Sequence, residues 1–158
     1  RRDHPEHRPH PECRADRPKR PLAGRGKGQG KATFDFLGFT VFWQRSRKGG
    51  WRPSFKTRKA RLSRAIKAGA DWCRRHRHQS VKQQHAALAQ RLRGHFNYFG
   101  VNGNSRSLAV LLFHAQRSWF KWLNRRSQRA SKTWAQFRDL LRDFPLPVPR
   151  ISVQLWIS

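Results

Sequence analysis

The sequence predicts a mainly α-helical domain, in which a short β-hairpin precedes a bundle of three or four helices. An aromatic and β-branched run at 34–43 is followed by turn residues and a second short run, as in a hairpin. Apolar residues then recur with a period near 3.6 through residues 56–144. Seven Trp and eleven Phe within 158 residues supply enough apolar volume for one modest core.

Residues 1–33 are rich in Arg, His, Pro and Gly and have almost no aliphatic content. This composition predicts a disordered basic segment. Candidate zinc ligands recur there every three residues, the polyproline II period: His4, His7, His10 and Cys13. Zinc is the weaker alternative, because metal sites usually draw ligand pairs from two structured elements. The Gly-rich run at 24–31 lacks the spacing of a phosphate loop, which favours a flexible basic linker.

Residues 34–55 form the predicted hairpin. The first strand covers 34–43, the turn 46–50, and the return strand 51–55. Gly38 lies inside the first strand, where glycine marks either a bulge or a close backbone approach.

The first predicted helix covers 56–78 and carries nine Lys or Arg. Asp71 is its single acid, so the i,i+4 partners of an ordinary solvated face are missing. This pattern favours a face that contacts phosphates. Cys73, His76 and His78 diverge around a helix, so no metal site is predicted.

The second predicted helix covers 80–99 and starts with a capping box at Ser80 and Gln83. Its buried stripe is predicted from the helical spacing of its apolar residues: Val81, Leu88, Leu92, Phe96 and Phe99. The polar residues outside that stripe are Arg91, Arg93, His95 and Asn97. For Asn97 and Tyr98, local capping of the helix end is the alternative to a binding role.

The third predicted helix, 105–126, has a wide apolar stripe and is expected to be central. That stripe is predicted to comprise Leu108, Leu111, Leu112, Ala115, Trp119, Trp122 and Leu123, widened by Val110, Phe113 and Phe120. Ser131 is the predicted cap of a fourth helix, with Trp134 and Phe137 inward. The helical region ends at 144, and 145–158 form an extended segment in which 150–157 add an edge strand or dock on the body.

The charge of +28, from 36 Lys and Arg against eight Asp and Glu, predicts a polyanionic partner. Phosphate backbone is the first choice and an anionic membrane surface the second, although no apolar run is long enough to span a bilayer. Two Cys give no disulfide framework, so a reducing compartment is expected. No Asp-Asp pair occurs, which argues against two-metal polymerase chemistry. We therefore predict no catalytic residue, metal or cofactor in this chain.

Several motifs occur in order between residues 34 and 126. They are Phe36-Leu37-Gly38-Phe39, the basic helix after it, Leu92-Arg93-Gly94 with Asn97-Tyr98-Phe99, and Ser118-Trp119-Phe120-Lys121-Trp122-Leu123. Together they resemble the end of the palm and the thumb, or maturase-specific X domain, of group II intron-encoded reverse transcriptases. The resemblance implies an α-helical thumb that binds intron RNA, assists its folding for splicing and clamps template–primer. It also implies that Phe36, Leu37 and Gly38 help to grip the primer strand, with core packing as the alternative.

The sequence departs from the family at three places. The fingers, and the palm with its Tyr-Ala-Asp-Asp motif, are not in these residues, and no His-Asn-His endonuclease module follows. His95 stands where the family has a tryptophan. The polymerase activity of the family is therefore not carried over to this chain alone, and Mg²⁺ is expected only for a full-length polymerase or for the intron RNA itself.

We predict a protein that binds group II intron RNA and assists splicing, in the bacterial cytoplasm or, alternatively, in an organelle. The candidate RNA-binding residues are basic, amide or aromatic: Lys56, Arg58, Lys59, Arg61, Arg64, Lys67, Arg91, Arg93, His95, Asn97, Tyr98, Arg117, Lys121 and Arg125. One alternative is a reverse transcriptase component that works only with a palm supplied by a partner. Another is an inactive fragment, in which exposed Phe34, Phe36 and Trp43 cause aggregation.

Overall fold

The structure is a computed structural model, and it describes residues 33–46, 49–126 and 131–154. Within them, a three-stranded antiparallel sheet of order β1-β2-β3 is followed by four helices, which confirms the predicted fold class. The strands are β1 (Thr33–Phe36), β2 (Phe39–Arg45) and β3 (Trp51–Thr57). The helices are α1 (Lys59–Arg75), α2 (Val81–Phe99), α3 (Ser105–Asn124) and α4 (Trp134–Asp143). The disordered segment predicted for residues 1–33, with its zinc ligands and linker, lies outside the described residues except for Thr33, which begins β1.

The single strand predicted at 34–43 is in fact two strands joined by a two-residue turn at Leu37 and Gly38. Both turn residues have positive φ, 48° and 84°, the combination that matches the twist of a tight hairpin. The predicted bulge at Gly38 is therefore wrong. The predicted close approach does not explain the glycine either, because a Cβ atom at Gly38 would lie at an ordinary contact distance of 3.5 Å from Cζ of Phe99; the positive φ does.

The boundary between sheet and first helix also differs from the prediction. Lys56 and Thr57 pair with Thr40 and Phe39 in the β2–β3 ladder, so α1 begins only at Lys59. Lys56 thus lies on a strand and not on the basic helix. At the other end, the backbone N–H of His76 donates to Trp72 O at 3.0 Å, and the helix stops before residue 78.

Helix α2 follows the sequence prediction closely. Ser80 and Gln83 form the capping box, with the Ser80 hydroxyl accepting from Gln83 N at 3.3 Å. Four of the five predicted stripe residues are buried in the core, and Val81 is half-buried. Gln84 is buried as well, and its amide oxygen accepts a 2.9 Å bond from Trp119 Nε1 on α3.

Helix α3 is central, as predicted. It packs against α1 and α2, and its Trp119 also meets Phe137 of α4 edge-on at 5.7 Å. Its fully or nearly buried face consists of Leu108, Leu111, Ala115, Trp119 and Leu123. Phe113, predicted to widen that face, is 51% exposed, so that part of the prediction is wrong.

Thr133, and not Ser131, caps α4: its hydroxyl accepts from Gln136 N at 3.3 Å. Trp134, predicted to point inward, is 44% exposed. After α4 the chain docks as an extended segment, with one parallel bridge between Val101 and Val153 in place of a full edge strand. Residues 155–158 lie outside the described part of the chain.

One buried amide joins the sheet to the helices. Asn104, at the start of α3, has no solvent exposure. Its Oδ1 accepts from Thr57 N at 2.7 Å, and its Nδ2 donates to Thr57 Oγ1 and to Phe99 O, both at 2.8 Å. The end of β3, the end of α2 and the start of α3 are therefore held at one point.

Candidate nucleic-acid interface

A groove with a volume of about 640 Å³ lies between α1, α2 and the β1–β2 turn. We call it the α1–α2 groove. Its polar and turn residues come from three separate parts of the chain: Leu37, Gly38, Arg61, Arg64, His95 and Tyr98. The structure thus brings the β1–β2 turn, two cations of the basic helix and two residues of α2 to one place.

Tyr98 fixes the turn to α2. Its hydroxyl donates to Leu37 O at 3.1 Å, and its ring lies nearly parallel to that of Phe39, with 6.2 Å between centroids. It also meets Phe99 edge-on at 4.7 Å. Tyr98 thus contacts the β1–β2 turn instead of capping the end of α2, and its ring stays 56% exposed beside the groove.

His95 is half-buried, with its ring 4.5 Å from that of Phe99. Burial lowers the pKa of His95 from its usual 6.5, because the imidazolium loses hydration. Its Nε2 is shielded from solvent and makes no hydrogen bond with the described residues. The groove wall therefore contains an imidazole whose charged form is disfavoured by burial and whose Nε2 has no partner among the described residues.

Only part of the predicted basic set contributes to this groove. Lys59 and Lys67 are exposed on α1 but do not line it. Arg58 precedes α1 and pairs with Asp35 at 2.9 Å, and Lys56 lies 5.3 Å from the ring centroid of Phe42 on β2. Arg61 and Arg64 have no carboxylate partner among the described residues, so their charge is available to an anion.

The α2 residues divide by helix geometry. Arg91 lies one turn before His95 on the same side of α2, with its guanidinium 5.3 Å from the ring centroid of Trp72. Arg93 and Asn97 are exposed and each stands two residues from His95, about 200° around the helix. The structure therefore keeps His95 and Tyr98 together but turns Arg93 and Asn97 away from the groove.

The α3 cations lie on a different surface. Arg117 stands two residues from both Ala115 and Trp119, which places it about 160° from the buried face. Together with Lys121 and Arg125 it lines one part of a second groove, whose other part includes Trp134 of α4; we call the two parts together the α3–α4 groove. The cations that the sequence predicts to bind RNA on α1 and on α3 thus line two separate grooves.

Sequence analysis missed the aromatic residues of this second groove, Phe113 and Trp134, because both were assigned to the core. A usable signal was present in the spacing. Phe113 precedes Arg117 by four residues, one helical turn, and the Arg117 guanidinium lies 5.5 Å from the Phe113 ring centroid.

The acids of the described residues do not assemble into a site. Asp35 accepts from Thr40 Oγ1 at 2.7 Å besides pairing with Arg58, and Asp139 pairs with Arg142 at 3.1 Å. Across 33–46, 49–126 and 131–154, no three His, Cys, Asp or Glu residues group so as to hold a metal ion. In the same ranges, no helix combines the length and hydropathy needed to cross a membrane.

Comparison with protein-family models, with curated proteins and with solved structures finds no match to this chain.

Proposed function

We propose that this chain binds structured RNA, as the thumb-like maturase module of a group II intron reverse transcriptase, and that it assists intron folding and splicing. The observation that carries the proposal is the composition of the α1–α2 groove. Three distant segments that resemble the family's motifs meet there, with two unpaired arginines and an unsatisfied histidine. A chain of net charge +28 supplies the surrounding positive field.

In this mechanism the affinity is largely electrostatic. Arg61 and Arg64 contact phosphates, since guanidinium groups match phosphate oxygens in a bidentate manner. His95 lines the same groove, and its ring packs against a sugar or base. Phosphate contacts set the position of the RNA, and the contact of His95 adds discrimination.

The first test is a binding titration over a range of salt concentrations. The full chain is mixed with a folded group II intron RNA, with duplex DNA and with an unrelated structured RNA. A preference for the intron that persists at higher salt supports the proposal, because non-specific binding is lost as counterions compete. Equal affinity for all three nucleic acids, lost together as salt rises, contradicts it.

The second test assigns the binding to the groove. Arg64→Gln should reduce the slope of log affinity against log salt by about 0.7–0.9, the value for one phosphate contact. Lys82→Gln is the matched control, because it removes one exposed charge about 20 Å from His95 along α2. If both variants change the slope equally, the α1–α2 groove is not the site.

A second candidate function is that of a reverse transcriptase component that clamps template–primer next to a palm supplied by a partner. The exposed side chains of β1 favour it, since Phe34 is 60% exposed on an edge strand that a further strand can extend. Primer extension with template–primer, Mg²⁺ and nucleotides is expected only after a palm and fingers are added. Incorporation by the isolated chain would show that its few acids nevertheless form a site.

A further inference from the structure

The α3–α4 groove combines an apolar part and a cationic part on the outward side of α3. The apolar part, about 280 Å³, is lined by Phe113, Arg117, Phe120 and Trp134. The cationic part, about 460 Å³, continues from Arg117 and Phe120 to Lys121 and Arg125. Because the two parts share Arg117 and Phe120, they form one continuous surface. From Phe113 to Arg125 this surface extends about 18 Å along the helix axis.

Two aromatic rings of this surface are open to solvent. Phe113 is 51% exposed and Trp134 is 44% exposed. Trp134 is held in place by an edge-on contact of 4.8 Å with Phe120, which also packs against Phe137. Fixed, exposed aromatic rings are the surfaces on which unpaired bases stack.

The cations lie next to aromatic rings and not next to acids. Arg117 lies 5.5 Å from the ring of Phe113, and Arg125 lies 5.4 Å from the ring of Trp122. No acid lines the groove among the described residues. An acidic peptide could neutralise these cations, but it would leave the exposed rings without a partner. A nucleotide strand uses both, since its bases and phosphates follow one another along the chain.

We infer that the α3–α4 groove binds an unpaired nucleotide strand, whose bases stack on Phe113 and Trp134 while its phosphates contact Arg117, Lys121 and Arg125. This inference deepens the proposed RNA-binding function and rests on it. It assigns single-stranded segments to the α3–α4 groove and structured RNA to the α1–α2 groove. The nucleic acid would therefore be contacted on two faces of the same bundle.

The test uses the full chain and fluorescently labelled eight-nucleotide oligo(U) and oligo(dT), followed by anisotropy. Phe113→Leu keeps an apolar side chain but removes the ring. It should weaken oligonucleotide binding between about fivefold and 150-fold, the range measured for loss of one base-stacking contact. Phe34→Leu is the matched control, because it removes a similarly exposed ring on β1. The affinity of this control variant for the oligonucleotides should stay within about twofold of the parent chain.

Two outcomes overturn the inference. In the first, Phe113→Leu binds the oligonucleotides with the affinity of the parent chain. In the second, a polyglutamate peptide binds in a way that depends on Phe113, while the oligonucleotides do not bind. Loss of oligo(U) and oligo(dT) binding together supports it through base and phosphate contacts. Tighter binding of oligo(U) than of oligo(dT) by the parent chain, with both weakened in Phe113→Leu, supports it with an added contact to the 2′-hydroxyl.

The intron RNA titration separates this inference from the proposed function. If intron binding depends on Arg64 while oligonucleotide binding is indifferent to Phe113, only the inference on the α3–α4 groove fails. If oligonucleotide binding depends on Phe113 while intron binding is indifferent to Arg64, only the assignment of structured RNA to the α1–α2 groove fails.

Discussion

The substitution Asn104→Leu is expected to lower the free energy of unfolding by about 2–4 kcal/mol. Leu has the same branching and the same number of heavy atoms as Asn but cannot replace the hydrogen bonds of the buried amide. The Thr57 N–H would lose its 2.7 Å bond to Oδ1, and a buried donor left without a partner costs about 1–3 kcal/mol. The buried Thr57 hydroxyl would lose its contacts as well, for about 1 kcal/mol more. Phe99 O adds little, because it keeps the 2.8 Å bond from Val101 N.

Urea unfolding, followed by tryptophan fluorescence and far-UV circular dichroism, measures this loss. For a chain of this size, the corresponding decrease in Tm is roughly 4–16 °C. Asn97→Leu is the control, because this exposed amide on α2 makes no hydrogen bond with the described residues, and its effect should stay within about 0.5 kcal/mol. If Asn104→Leu costs less than about 1 kcal/mol, or no more than Asn97→Leu, the amide is not the junction described above.

Four further outcomes are expected. An RNA phosphate near His95 should raise the lowered pKa of this residue, so that RNA binding takes up a proton and the affinity for the intron increases as pH falls from about 7.5 to 5.5. His95→Gln should lack this increase, and a variant with the same pH profile as the parent chain would refute the contact. Without RNA, the unfolded chain binds a proton at His95 more readily than the folded chain does, because burial lowers the pKa of the folded imidazole. His95 should therefore lower the free energy of unfolding as pH falls through 6.5, its usual pKa. Urea titrations of the parent chain and of His95→Gln at each pH measure this loss. The double variant Phe34→Lys, Phe36→Lys should aggregate less in light scattering, because both rings are exposed on the β1 edge strand. Its free energy of unfolding should stay within about 0.5 kcal/mol of the parent chain. Undiminished scattering would place the aggregating surface elsewhere. Tyr98→Phe should lower the free energy of unfolding by less than about 1 kcal/mol, since water can replace the hydrogen bond to the carbonyl of the exposed Leu37. Amide hydrogen exchange in the β1–β2 turn should nevertheless accelerate. Unchanged exchange would contradict the role of Tyr98 as the anchor of the turn.

The elements that could be predicted from sequence are those whose signals are local. The capping box of α2 involves residues three apart, and its buried stripe follows the helical period, so both were predicted correctly. The β1–β2 turn was missed because Leu37 occupies a left-handed position that Asn, Asp or Gly usually takes. An aromatic run without such a signal resembles one continuous strand.

The composition of the two grooves depends on contacts that local patterns do not encode. Lys56 was placed on a helix because it begins a run of cations, but strand pairing with Thr40 determines its position. Phe113 was placed in the core because aromatic residues on an apolar helix are usually buried. Its exposure follows from the directions in which α1 and α2 pack on α3, which only the tertiary structure defines.

The α1–α2 groove separates the residues that hold the fold from those that are free to bind. Tyr98 and Phe99 join the turn to α2 through the Leu37 carbonyl and the Phe39 ring, so changes at these positions alter both structure and binding. Arg61, Arg64 and His95 make no ion pair or hydrogen bond with the described residues, so replacing them should affect binding far more than stability. A loss of RNA affinity in an Arg64 variant of normal stability can therefore be assigned to a lost contact with RNA, whereas the same loss in a Tyr98 variant cannot.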